Sequence, residues 1–365
     1  MKAVVLAGGY ATRLRPISYA LPKLLFPVLG KPMIYKTLEL LQSIGVDEVT
    51  LAVNYMAEKL RAEVGSIYNG MIVNYSLETE TLGTAGPIKL ASTTTHLDQT
   101  FLAMNGDVIA QIDLKEMIKQ HAKTGAQITD ALHEVKNPER FGVVQLDAEN
   151  RIQRFVEKPP KNQAPSHLVN AGIYIIEPDV LRMIPDGRKV SLEREIFPTI
   201  ANQGKLVGFP FPGDWFDIGD LTDYRKANVA LLEEVASESA GKVGKANSAT
   251  TYSIRKPIFL GENAKIGDGV VLGPAAIIGK SNTIQRGTRI SKSILFDRIN
   301  VGERTVIAGS IIASDVIVGK RVKIDQGCLV SPNVRIGEGV KVGRGAIIHP
   351  YKEVERDVKP GSHVM

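Results

Sequence analysis

The chain has 365 residues, 44% hydrophobic and 23% charged, which is enough for two domains with a substantial core and unlike any disordered composition. A single cysteine, Cys328, excludes an intrachain disulfide framework and fits a reducing, cytoplasmic compartment, while no apolar run approaches a membrane span and residues 3–7 are too few for a signal-peptide core. The net charge of +6 is uneven: from Lys245 onward 19 Lys and Arg stand against 10 Asp and Glu, with aromatics nearly absent, so the excess reads as solvated cations on a regular scaffold and not as a nucleic-acid footprint.

From residue 1 to about 235, short β-branched runs alternate with amphipathic stretches, the pattern of strands and crossover helices in a mostly parallel sheet. Strands are expected over 2–6, 49–53, 73–77 and 101–104, and helices over 33–43 and 56–68. Such open sheets bind ligands beyond the C-terminal strand ends, where Gly8, Gly9 and Asp107 fall. Gly8 and Gly9 leave the first strand and allow backbone N–H groups to approach an anion. Arg13, Arg15 and Lys23 come next, the last between Pro22 and Pro27, whose fixed φ angles restrict the segment. Spaced cations after paired glycines suit a polyphosphate. The dinucleotide fingerprint lacks its third glycine, Arg13 standing in its place, and the P-loop Gly-Lys-Ser/Thr is absent.

Gly8, Gly9, Thr12, Arg13, Leu14, Pro16, Pro22, Lys23 and Leu25 match the GGxxTRLxPxTxxxPKxL signature, and the segment resembles the sugar-1-phosphate nucleotidylyltransferases. Ser18 replaces the usual Thr, and Leu24 stands where Pro is frequent. The resemblance implies a Rossmann-like nucleotidyltransferase domain with a mostly parallel mixed sheet, nucleotide held at Leu6, Gly8, Gly9, Arg13, Lys23 and Gly106, and Arg13, Lys23 and Asp107 as the catalytic set.

Further along, Glu78 to Gly86 reads ETETLGTAG. Gly83 and Thr84 are small enough for a purine to lie close to the backbone, and Glu78 can accept hydrogen bonds from N1 and the exocyclic amine of guanine; its alternative is a solvated carboxylate at a strand end. Asn105-Gly106-Asp107 ends an expected central strand, so Asp107 projects into the cleft, where a carboxylate suits Mg²⁺. Asp217, in Trp215-Phe216-Asp217-Ile218-Gly219, is the second candidate, although either aspartate taken alone reads first as a turn or cap residue. Both resemble the family's metal-binding aspartates. Glu157-Lys158-Pro159 resembles the family's EKP motif, which implies Lys158 on the sugar phosphate and Glu157 on sugar hydroxyls; Gly142 and Asn170 match positions lining the sugar pocket.

Residues 236–253 are small and polar, a linker composition between a catalytic domain at 1–235 and a repeat region beginning at 254. In that region aliphatic residues recur every six positions from Ile254 to Ile290, slip near residues 293–296, resume at Val301 and Ile307, shift by one, and continue from Ile312 to Ile348. A hexapeptide period means three short strands per 18-residue coil, a parallel β-helix of about five coils over 254–350, with a tail at 351–365. Its left-handed winding is implied by resemblance to hexapeptide-repeat proteins. Together these features look most like the family branch that joins GTP and mannose 1-phosphate into GDP-mannose, with Mg²⁺ as cofactor and self-association through the β-helix. Three alternatives stay open: a UTP- or dTTP-dependent enzyme acting on glucose 1-phosphate; a bifunctional enzyme with an acyltransferase β-helix, for which His349 is the only histidine in the repeats; and a non-catalytic regulatory subunit.

Overall fold

The computed structural model describes residues 1–238 and 252–365, so residues 239–251 of the expected linker lie outside the described residues. By internal contacts the chain forms two compact units that exchange a segment: one comprises 1–10 and 34–218, the other 11–33 and 219–365.

In the first unit a ten-stranded mixed sheet is built from β1 (Lys2–Leu6), β4 (Glu48–Val53), β5 (Ile67–Tyr68), β6 (Met71–Leu77), β7 (Phe101–Asn105), β9 (Ile128–Glu134), β10 (Gly142–Leu146), β11 (Ile152–Glu157), β12 (Leu168–Ile176) and β13 (Leu206–Pro210). Its order is β11-β10-β12-β7-β1-β4-β6-β5, with β9 pairing β12 and β13. The strands β7-β1-β4-β6 run parallel; β7, β1 and β4 are largely buried, in keeping with cover on both faces, whereas β6 leaves Ile72 and Leu77 exposed. β12 runs antiparallel to β7 and closes that half of the sheet. The helices α1 (Met33–Ser43), α2 (Ala57–Val64), α3 (Gly86–Thr94), α4 (Leu114–Thr124) and α5 (Phe197–Asn202) cross between strands, and β8 (Val108–Ala110) pairs with β14 (Trp215–Asp217) in a separate antiparallel ribbon.

Four expected strands are present with ends moved by no more than two residues, and the helix over 33–43 is present as expected. The helix expected over 56–68 stops at Val64: Gly65 takes φ 75°, and Ile67–Tyr68 pairs as the edge strand β5. The apolar residues that suggested another helical turn serve a period of two.

Asp130 sits in β9 at 0% exposure, opposite Tyr174 and Gly208, with neither carboxylate oxygen hydrogen-bonded. Burial, with Glu193 adding to it, raises its pKa well above the ordinary carboxylate value. The folded state therefore keeps a proton that the unfolded chain loses near pH 3.9. As pH rises above that value the unfolded state gains, so Asp130 subtracts stability from about pH 4 upward to its raised pKa. Asp130→Asn removes this titration, and its stability relative to the wild type should improve steadily between pH 4 and pH 7. Denaturant midpoints measured across that range check the slope; parallel profiles would count against a buried, protonated Asp130.

In the second unit, residues 253–364 form three parallel sheets of six, seven and six strands, a parallel β-helix. Strands Glu353–Val354 and His363–Val364 carry the sheets past Pro350 into the segment expected as a tail. The inward aliphatic residues, among them Leu272, Ile290, Val301, Val318, Val330 and Ile348, are each at most 2% exposed. The register slips are real and local. Coil-to-coil spacing is 17 residues where Ser310 N–H donates to Ser293 Oγ and 18 where Cys328 N–H donates to Ser310 Oγ. One residue is missing from the corners after Ser291 and Ala308, where Lys292 and Gly309 take positive φ and the two serines are buried.

The remainder of this unit is the segment 11–33, with the short hairpin β2 (Pro27–Val28) and β3 (Lys31–Pro32), together with α6 (Leu221–Glu238). One face of the β-helix differs from the other two. Its outward positions Ile277, Ile294, Ile311 and Leu329 are aliphatic and buried, whereas the other faces present residues such as Lys265, Arg289, Lys323, Arg335 and Lys341. A period-six reading registers only the inward positions.

Candidate functional site

At the end of β1 the chain turns through Gly8 and Gly9, the latter at φ 125°, which L side chains rarely adopt. Gly106 N–H donates to Leu6 O at 2.9 Å, so the loop after β7 lies directly against the exit of β1. A Cβ on Gly8 would stand 2.8 Å from Glu78 Oε1, and the glycine is what lets that carboxylate reach over the backbone. Glu78 leaves β6 with its N–H bonded to Val53 O, is only 7% exposed, and accepts Leu82 N–H on Oε2 at 3.2 Å. Burial raises its pKa, and the Leu82 N–H partly offsets the rise. It is therefore not a solvated strand-end carboxylate.

Gly83, at φ 82°, packs against Val190, whose carbonyl would be 2.3 Å from an added Cβ. Thr84 is already engaged: its hydroxyl donates to Glu193 Oε2 at 2.6 Å and accepts Leu192 N–H at 2.8 Å. What it leaves toward a ligand is its backbone.

The two aspartates, whose proximity no sequence pattern establishes, occupy neighbouring positions at one end of a ribbon. Asp217 lies opposite Val108 in the β8–β14 pair, and Ile218 N–H donates to Asp107 O at 3.1 Å. A bulge in β12 organises the surroundings. The register of β12 against β9 breaks between Asn170 and Tyr174. In that break, Ala171 O accepts the indole N–H of Trp215 at 3.0 Å, and Gly172, at φ 75°, is so close to Asn105 that a Cβ would stand 2.4 Å from its Nδ2. Trp215 and Asn105 each precede one of the aspartates by two residues, so a single irregularity in β12 contacts both segments that lead to them. Sequence reading missed Ala171, Gly172, Trp215 and Asn105 as positioning residues, although Trp215, the chain's only tryptophan, was a signal.

Beside the bulge, Asn170 donates to Tyr174 OH at 2.9 Å and accepts Gly172 N–H at 2.7 Å. Gly142 faces Glu157 across β10 and β11, and an added Cβ would stand 3.0 Å from Glu157 Oε2. Lys158 falls just beyond β11 and takes φ 48°, while its N–H bonds Phe141 O at 3.0 Å. This left-handed residue breaks the alternation a strand would impose, so Lys158 Nζ and Glu157 Oε1 come within 3.4 Å, with the lysine side chain 64% exposed.

Arg13 and Lys23 belong to the second unit. Arg13 lies on a 3₁₀ turn, Thr12–Leu14, and its guanidinium rests on Gly219, where a Cβ would stand 3.2 Å from Nη1. Lys23 begins a second turn, Lys23–Leu25, whose carbonyl accepts Phe26 N–H at 3.0 Å. His349, the residue an acyltransferase would need, has its Nε2 buried without a partner and its ring against Tyr19 at 6.4 Å and His363 at 5.8 Å. Its Nε2 is thus closed to solvent.

Among the described residues, no group of three or more His, Cys, Asp or Glu can hold a metal, and no helix is long and apolar enough to cross a membrane. The nucleotidyl transferase family model matches residues 2–234, and the GMPPB C-terminal domain model matches residues 254–364. The chain is 37% identical to "Probable mannose-1-phosphate guanylyltransferase 2" of Arabidopsis thaliana and 31% identical to "Mannose-1-phosphate guanyltransferase" of Pichia angusta, covering 89% of both chains in each case. Among solved structures, HddC from Yersinia pseudotuberculosis complexed with GMP-PN superposes with a TM-score of 0.54 at 28% identity, over 63% of this chain and 99% of that one. The chain is a nucleotidyltransferase, a member of the nucleotidyl transferase family whose catalytic fold is followed by a GMPPB-type C-terminal β-helix.

Proposed function

We propose that this enzyme transfers the guanylyl group of GTP to mannose 1-phosphate, forming GDP-mannose and pyrophosphate. The names carried by its relatives over 89% of the chain support the substrates. The observation that carries the base is Glu78, a buried carboxylate oriented by Leu82 N–H with Oε1 placed over Gly8. Guanine alone among the common bases presents N1–H and an exocyclic amine side by side to such an acceptor.

In the reaction a sugar-phosphate oxygen attacks the α-phosphorus, the bond to the β-phosphate oxygen breaks, and pyrophosphate leaves with the electron pair. The nucleophile is already anionic, so no general base is needed. Catalysis rests on alignment and on neutralising repulsion between two anions. Arg13 and Lys23 would hold the triphosphate, Lys158 the sugar phosphate, and Glu157 and Asn170 the sugar hydroxyls, with Gly142 keeping the floor of that pocket open. Two aspartates at neighbouring backbone positions, with no group of three or more His, Cys, Asp or Glu among the described residues, suit Mg²⁺, which completes its shell with phosphate oxygens and water. Asp107 and Asp217 would hold that ion, and when bound it would supply positive charge at the α-phosphate.

A panel of GTP, ATP, UTP and dTTP with mannose 1-phosphate or glucose 1-phosphate, read by pyrophosphate release, tests the reading. GTP with mannose 1-phosphate should be the preferred pair; preference for UTP or dTTP with glucose 1-phosphate would replace it. Glu78→Gln should lower discrimination for GTP by about 10-fold to 10²-fold, the range of a charge-assisted hydrogen bond. Because its pKa is raised, the wild-type preference for GTP should fade on acidification sooner than an ordinary glutamate near 4.3 would allow. Selectivity unchanged in the variant would remove Glu78 from base recognition.

A further inference from the structure

Between the first strand and α1 the chain leaves the catalytic sheet and packs within the β-helix unit, and six contacts hold it there. Tyr19, which also lies under the Arg15 guanidinium at 5.0 Å, stacks near His349 of the last complete coil. Phe26, fully buried, packs edge-on against Tyr224 of α6 at 5.7 Å and Phe296 of the β-helix at 5.9 Å. The Tyr224 hydroxyl donates to Pro27 O. Leu29 N–H donates to the Asn228 side chain at 3.1 Å, and Gly30, at φ 75°, leaves room for Phe259 of the first coil, 2.6 Å from where its Cβ would be. Lys23 stands between the Tyr19 and Phe26 anchors, its carbonyl bonded to Phe26 N–H.

The β-helix is modified where these contacts converge. The two shortened corners turn the carbonyls of Lys292 and Gly309 toward α6, where one side chain takes both: Arg225 donates through Nη1 to Gly309 O at 2.7 Å and through Nη2 to Lys292 O. Phe296 comes after the first shortened corner and points outward, next to the inward Leu295, yet is 0% exposed because Phe26 and Tyr224 cover it. A regular 18-residue coil would need neither an outward phenylalanine nor a shortened corner. Both are accounted for by seating α6 and the lysine-bearing segment.

We infer that Phe296 and Arg225 are positioning residues for nucleotidyl transfer: the shortened coils of the β-helix hold the Pro22–Phe26 turn, and with it Lys23, in its working geometry. The inference rests on the role given to Lys23 above. It makes the repeats a structural part of the active enzyme, and it accounts for the interruption of an otherwise regular period at residues 293–296 and 308–312.

The test combines kinetics with hydrogen exchange of the full-length protein. Phe296→Ala and Arg225→Met should lower kcat by between about 10-fold and 10²-fold, the scale of a misplacement of order 1 Å, with the KM for sugar phosphate within about 2-fold of wild type. Exchange of the peptide spanning residues 17–30 should quicken in both, and Phe296→Tyr should restore both readings. Val342→Ala, an inward substitution in a regular coil, controls for loss of stability and should lower Tm while leaving kcat and that peptide's exchange unchanged. Unaltered exchange and kcat in Phe296→Ala and Arg225→Met overturn the inference, as does an equal loss in Val342→Ala at matched Tm. Should Phe296→Ala fail to fold, Arg225→Met carries the same test. If Lys23→Ala proves active, the role of the lysine is wrong, and exchange still reports whether the β-helix holds the segment.

Discussion

Asp107→Ala and Lys23→Ala should each leave a folded protein that has lost about 10²-fold or more in turnover, the scale seen when one preorganised charge-stabilising group is removed. Asp107 sits at a loop between β7 and β8, where its backbone carbonyl accepts Ile218 N–H, a bond its alanine variant keeps. Lys23 heads a 3₁₀ turn that carries the backbone hydrogen bonds Leu25 N–H to Pro22 O and Phe26 N–H to Lys23 O, which its alanine variant keeps. Neither substitution removes a core side chain, so Tm should stay within a few degrees of wild type while pyrophosphate release collapses. Added Mg²⁺ should not rescue Lys23→Ala; for Asp107→Ala the Mg²⁺ concentration needed for half-maximal rate should rise. Near wild-type turnover in either variant would falsify the assignment of that residue.

A second large effect is expected at a residue that touches no substrate. Gly172→Ala puts a methyl group 2.4 Å from Asn105 Nδ2 at a backbone φ of 75°, so the clash and the unfavourable dihedral act together. Asn105 must move, and Gly106-Asp107 moves with it; Trp215, bonded to Ala171 O, is drawn along with Asp217. Loss of kcat should approach that of Asp107→Ala, about 10²-fold, because a shift of order 1 Å suffices. Gly125→Ala is a useful contrast. It too has positive φ, 61°, but an added Cβ there meets nothing within 4 Å, so it should reduce stability without touching turnover. If the two alanine variants behaved alike, the bulge in β12 would not be what aligns the aspartates.

The signature loop, the EKP segment and the hexapeptide repeats were legible because each is a local statement: residue types at fixed spacings, answerable to backbone geometry within a few residues. One irregularity carried information too, since the slip at residues 293–296 marks a shortened corner, whereas the covered outward face went unread. The helix expected over 56–68 shows the limit. Ile67 and Tyr68 fit a helical stripe until Gly65 turns the chain and β6 offers an edge to pair with.

By itself, then, the sequence determined the local chemistry: a mostly parallel sheet, a cationic loop after paired glycines, two candidate carboxylates, and a parallel β-helix, although not the strands that carry it past Pro350. Tertiary structure decided which of those pieces meet. It set Asp217 beside Asp107 through the β8–β14 ribbon, buried Glu78 over Gly8, turned Lys158 back to Glu157, and assigned residues 11–33 to the β-helix unit instead of the catalytic sheet. Periodicity and spacing report only on near neighbours along the chain. These contacts join residues far apart in sequence or turn on one positive φ, and they are fixed by packing and close backbone approach that no short window records.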